Sequence, residues 1–208
     1  MVMVPSGQAG DGLTERGRQR EETRRRVREV ALDVIRREGL GDARVDEIAR
    51  LAGISRGTVY FHYATKEHVV AEVLGEAEVR IAEAIGALPR TATLAEVLGT
   101  FCAAFAREWE REARLFPSVA AVAVQSASLV MRSKELGLVH RALAARFKAV
   151  GERGELTRAV RPTVLANVFL IHVLTATLAW SSRPRPRLVT ALADVTEIFL
   201  NGARAPRR

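Results

Sequence analysis

Arg56, Gly57, Thr58, Tyr60 and His62 fall within seven residues, with Lys66 close behind. That set suits the reading of a polyanion better than the making of bonds. Arg56 can donate two hydrogen bonds to a guanine edge, and Thr58 offers a hydroxyl together with a methyl group. Gly57 carries no side chain, so a groove could approach its backbone closely. Tyr60, His62 and Lys66 are donors for phosphate oxygens, and a helix starting at Thr65 or Lys66 adds unpaired N–H groups. Enzymatic chemistry finds little support. His62, His68, His140 and His172 are scattered and Cys102 is the single cysteine, so no metal-ligand spacing exists. No Gly-rich phosphate loop and no nucleophile elbow occur. No metal and no cofactor are expected, and an all-α enzyme remains the minor alternative.

The elements that must hold these residues can be read around them. Val45, Ile48, Ala49 and Ala52 share one helix face at i, i+3, i+4 and i+7. Gly53 stops that helix, because glycine enters the left-handed turn cheaply. Ile54 points back to the core, and Ser55 is suited to cap a short second helix over about 56–62. Upstream, a helix over about 20–37 buries Val27, Val30, Ala31, Val34 and Ile35 and ends at Gly39. The three pieces make a helix-turn-helix module. A plain surface helix pair with no nucleic acid has the same spacing. The basic cluster Arg18, Arg20, Arg24, Arg25, Arg26 and Arg28 reads either as a solvated helix face or as an arm to phosphates or the minor groove.

The run I-A-x-x-A-G-I-S-x-G-T-V-Y-F-H-Y-x-x-K-E within residues 24–70 resembles the DNA-binding domain of the TetR-type bacterial repressors. The resemblance implies that Arg44, Ser55, Arg56, Gly57, Thr58, Tyr60, His62 and Lys66 face DNA. Arg44 departs from the pattern. The family usually places Thr or Ser there, as a helix cap and often as a phosphate contact. An arginine cannot cap by accepting N–H bonds, though it could still meet a phosphate.

The 208 residues carry a net charge of +8, which fits a polyanionic partner. Through residue 70, however, 13 basic residues face 11 acidic ones, so the argument for DNA rests on local placement. One cysteine excludes an intrachain disulfide and agrees with a cytoplasmic location. Cys102 reads as a small buried hydrophobe. No signal peptide is evident.

The expected fold is all-α: a flexible arm over 1–17, a helix-turn-helix head over 18–65, and a helical ligand-binding and dimerisation domain over 66–208. A fourth helix from Lys66 to about Leu88 belongs to both parts and ends before Pro89. Thr93 with Glu96 forms a capping box for a fifth helix. Further helices are expected over about 117–125, 128–150 and 187–201, with Gly151 and Gly154 marking a loop. The run Val164–Trp180 is the most apolar in the chain. At about 17 residues it is short for a membrane span and holds Asn167, His172, Thr175 and Thr177, so buried packing is expected and no membrane.

In the resembled family the C-terminal helices bind a small inducer and form the dimer through the last two long helices of each subunit. Residues 161–201 occupy that place and are apolar over more than one face, which a monomer would struggle to bury. Phe169, Val173, Leu188, Leu192, Val195 and Phe199 are the expected interface. Phe101, Phe105, Trp109, Phe116, Met131, Asn167, His172 and Trp180 are candidates to line a pocket, although aromatics at helical spacing more often form plain core. Asn167 and His172 need polar partners in so apolar a run. The expectation is a homodimeric repressor of double-stranded DNA at a palindrome, released by a small apolar or aromatic effector; a constitutive DNA-binding regulator without a ligand is the alternative.

Overall fold

The computed structural model describes residues 14–125 and 137–203, and the regular structure within them is wholly helical. α1 (Glu15–Glu38), α2 (Val45–Ala52) and α3 (Arg56–His62) form the head. α4 (Lys66–Gly86) leaves it and crosses to a lobe built from α5 (Leu94–Trp109), α6 (Phe116–Gln125), α7 (Leu138–Glu152), α8 (Pro162–Ser182), α9 (Leu188–Ala191) and α10 (Ala193–Ala203).

Local chemistry accounts for most helix ends. Thr14 caps α1 by accepting the Gly17 N–H, so residues 15–17 are helical and not part of an arm; the remaining arm residues, 1–13, lie outside the described residues. Gly53 adopts φ 65°, and its N–H returns to the carbonyl of Ala49. Ser55 Oγ accepts the Thr58 N–H at 3.1 Å. The Thr93–Glu96 capping box is complete, with both reciprocal bonds in place. Pro162 sits in the first turn of α8, where its missing N–H costs nothing.

Three boundaries differ from expectation. The helix expected over 128–150 starts at Leu138, because Gly137 takes φ 85° just before it; residues 126–136 lie outside the described residues. Gly151 is buried inside α7, so Gly154 (φ 83°) makes the turn by itself. The last helix is two pieces, with Leu192 between α9 and α10.

The head core gathers Val27, Ala31, Leu32, Val34 and Ile35 of α1 with Ile48, Ala49 and Ala52 of α2 and Val59 of α3, all buried. Leu32 replaces Val30, which is only partly buried, in the set expected from periodicity. α4 ties head to lobe. At its start Lys66 Nζ donates to the carbonyls of Gly41 (2.7 Å) and Ala43 (3.1 Å). Nearly two turns on, Glu72 takes Arg24 in a bidentate pair and accepts the Tyr63 hydroxyl at 2.9 Å, while Glu76 pairs with Arg28 at 2.7 Å. Further along, Glu78 accepts the Val139 N–H at 2.8 Å, and Arg146 of α7 donates to the carbonyls of Gly86 and Leu88. A second bridge bypasses α4: Arg36 at the end of α1 pairs bidentately with Glu112, just before α6.

α8 is long and apolar enough to cross a membrane by composition. Here it packs against α6, α7, α9 and α10, burying Leu165, Ala166, Phe169, Val173, Thr177 and Trp180. Cys102 is buried with Sγ 3.3 Å from Thr196 Oγ1, and burial raises its thiol pKa, as suits a small core residue.

Gly53→Ala should cost about 1 kcal/mol, because a Cβ is strained at positive φ. A thermal melt of the purified variant measures it; an unchanged midpoint would show that the turn relaxes without strain.

Candidate nucleic-acid interface

α2 holds α3 outward. Ile48, Ala49 and Val59 are buried between them and α1, so α3 turns its remaining residues to solvent. Ser55, Arg56, Gly57 and Tyr60 are exposed, and Thr58 and His62 are partly exposed, on one short helix and its cap. Ser55 serves the helix: its Oγ takes the Thr58 N–H and lies 2.9 Å from the Thr58 hydroxyl.

Gly57 is not required by the fold. A Cβ built there would meet only Ser55 Oγ, at an ordinary 3.6 Å, and its φ is not positive. Nothing inside the chain therefore explains why this helix gives up side-chain surface at its outward point.

Arg56 is engaged within the chain. Its Nε lies 3.0 Å from Asp46 Oδ1, with both side chains more than half exposed. A hydrogen bond to Tyr60 and the Asp46 charge together hold its pKa above the ordinary value. Asp46 sits in the first turn of α2, where a carboxylate also suits the helix dipole. Sequence reading missed this partner, although an acid one residue past a helix start was a visible signal. At such exposure the pair is worth little, so Arg56 is held loosely.

His62 is partly buried at the end of α3. Burial, then Arg20 and Arg24, lower its pKa, with Glu21 opposing. It is therefore neutral near pH 7 and acts as a hydrogen-bonding group. Arg44 is exposed at the N-cap of α2 and makes no side-chain cap bond. Lys66 is partly buried with two of its three N–H donors on carbonyls, which leaves one for a phosphate. The structure thus brings Arg56, Gly57, Thr58, Tyr60 and His62 onto one outward element, with Arg44 and Lys66 at its flanks.

The lobe residues fall differently. Phe101, Trp109 and Phe116 are buried, at most 2 % exposed. With the partly buried Phe105 they interlock at ring separations of 5.4–6.4 Å and fill the core where a pocket was expected. Trp180 is buried with its indole N–H on the Pro186 carbonyl, 2.8 Å away. Met131 lies outside the described residues. Asn167 and His172 are exposed on α8, and His172 Nδ1 lies 2.6 Å from the Val168 carbonyl. They escape the apolar core by facing outward.

The expected dimer interface is corrected as well. Phe169, Val173, Leu188, Leu192 and Phe199 are buried inside the chain itself, and Val195 is partly buried, so five of the six cannot form a subunit surface. α8 is apolar all round, and its pattern could not say which face turns inward. The exposed large apolar residues of the lobe include Val124 on α6 and Val160 before α8, and Val168 and Ile171 on α8 with Ile198 on α10, two helices that pack together.

Comparison with known proteins agrees with the head geometry. Residues 27–73 match the family model of bacterial regulatory proteins, TetR family. The transcriptional regulator SrpR of Pseudomonas putida is 48% identical over 54 residues, 26% of this chain and 25% of that protein. The chain thus spans about a quarter of the length of such curated relatives. The fatty acid degradation regulator FadR from Bacillus halodurans has a similar structure, with TM-score 0.70 and 20% identity over 88% of this chain and 97% of that one. Thermus thermophilus FadR, a repressor solved with lauroyl-CoA, has TM-score 0.62 and 20% identity over 89% of this chain and 97% of its own. At such identities these two speak for the fold.

Gly57→Ala should fold as the parent does and melt no lower, since alanine favours an α-helix over glycine by about 1 kcal/mol. A lower melting temperature would show that the fold itself needs the glycine.

Proposed function

The head of this chain belongs to the TetR family of bacterial regulatory proteins, and from that premise we propose that the whole chain is a cytoplasmic, homodimeric repressor that releases a palindromic operator when a small effector binds its lobe. The family consists of transcriptional regulators and not enzymes, so the enzyme alternative is set aside. The observation that carries the reading is the exposed face of α3, where Gly57 is bare for no internal reason. Arg56, Gly57 and Thr58 read base edges in the major groove, while Tyr60, His62, Lys66 and Arg44 hold phosphates.

The dimer is supported by the stripe Val168, Ile171, His172 and Thr175, spaced i, i+3, i+4 and i+7 along the outer face of α8, with Ile198 on neighbouring α10. A two-fold dimer places two heads on two half-sites. An effector works by favouring a dimer whose heads are wrongly spaced. The relative solved with lauroyl-CoA supports a long apolar effector, which here would enter by parting the ring cluster around Phe101, Phe105 and Phe116. The same tight cluster favours the second reading, a constitutive regulator with no ligand. A concentration-dependent rise in melting temperature with lauroyl-CoA, absent with free CoA, separates the two.

Footprinting the purified protein on DNA flanking its own gene tests the main reading: a protected palindrome is expected, and diffuse, salt-erased binding counts against it. Ile171→Glu combined with Ile198→Glu should elute as a monomer and bind that palindrome at least about tenfold more weakly; a persistent dimer would place the interface elsewhere. A phosphate beside His62 would raise the pKa that burial and Arg20 now lower, so binding takes up a proton. Operator affinity should therefore rise as pH falls toward and below His62's ordinary value of 6.5, and His62→Gln should flatten that rise.

A further inference from the structure

The arginines of α1 are not equivalent. Arg16, Arg20, Arg24 and Arg28 recur every fourth residue and so share one face. The inner two are neutralised: Arg24 lies on Glu72, and Arg28 on Glu72 and Glu76. Elsewhere on the helix Arg18 pairs with Glu15 and Arg25 with Glu29. Arg20 has no carboxylate partner among the described residues. Its guanidinium instead sits 4.9 Å from the centre of the Phe61 ring.

Phe61 is the odd residue of α3. It is 65 % exposed, far more than a large aromatic needs to be, and it touches His62 edge-on at 5.2 Å. An exposed aromatic adds nothing to the core. A ring beneath a guanidinium does something else: it attracts the cation through its π face and limits the conformers of a long side chain. That stack fixes a full positive charge beside the end of α3, within reach of His62, whose pKa it helps to lower.

We propose that Arg20, shelved on Phe61, is a phosphate clamp flanking the base-reading helix, with Phe61 as its positioning residue. The proposal rests on the DNA-binding reading above and assigns to the basic first helix one working contact. Arg24 and Arg28 serve the fold; Arg20 serves the ligand. A planar guanidinium fits a phosphate bidentately, and its stacked face leaves the N–H edge free to do so.

The test uses the full chain and a duplex enriched by the parent protein from a randomised library, with affinity measured across a salt series. Arg20→Ala should weaken binding about five- to tenfold and lower the slope of log affinity against log salt by about one, as expected for one lost phosphate contact. The loss should be similar on enriched and scrambled duplexes. Phe61→Leu should reproduce part of the loss, and Phe61→Tyr, which keeps a ring, should restore the parent value. Arg20→Ala with Phe61→Leu should bind no more weakly than Arg20→Ala alone. Arg111→Ala removes an exposed arginine from the loop after α5 and controls for net charge. An unchanged salt slope for Arg20→Ala, a slope change matched by Arg111→Ala, or additive losses in the double variant would overturn the clamp while leaving the repressor reading intact. Failure of the parent to enrich any duplex would remove both.

Discussion

Glu72 and Glu76 sit a turn apart on α4 and receive Arg24 and Arg28 from α1, with the Tyr63 hydroxyl on Glu72 as well. The cluster is only partly exposed, so each charge has given up some water and depends on its partners. Arg28 shows how tightly the group is drawn, since its Nε is buried without a hydrogen-bond partner. The burial of Tyr63 and its bond to Glu72 push the phenol pKa far up, so that it donates at any physiological pH. This lattice ties α1 to the first half of α4, and rotating the head on α4 would separate its charges.

The other half of α4 is gripped by α7. Glu78 caps the first N–H groups of α7, and burial holds its carboxyl above the ordinary range despite those bonds. Arg146 closes on the carbonyls at the end of α4, and Arg153 reaches those of Arg90 and Ala92 in the next loop. α7 and the head are thus joined through α4 by a continuous chain of hydrogen bonds and ion pairs. The Arg36–Glu112 pair adds a separate route from the segment before α6 to the end of α1. These are paths of contact, and their coupling strength is a question for double-mutant cycles.

What the sequence revealed depended on how local its cause was. Gly53, Ser55 and the Thr93–Glu96 box act within a few residues, and each ended or began a helix where its chemistry required. The face of α8 was illegible, because apolar residues surround it and no period singles out one side. Phe169 and Val173 turned inward while Val168 and Ile171 turned outward, and only neighbours distant in sequence decide that. The break at Leu192 carries neither Gly nor Pro. The ion pairs of α1 join residues 48 apart, so the basic cluster could not be divided into structural and free arginines by pattern alone.

Asp46 gives Arg56 a partner inside the chain, and any base edge that Arg56 reads must first draw the guanidinium from that carboxylate. On the wrong base pair the guanidinium can stay with the carboxylate, so a mismatch offers it no reward for leaving. On the right one, two acceptors must outbid one exposed ion pair. Under the proposed reading, such an internal competitor costs most where Arg56 must leave Asp46, so it trims the matching site and little of the rest. Because both side chains are so exposed, the pair sets that cost low.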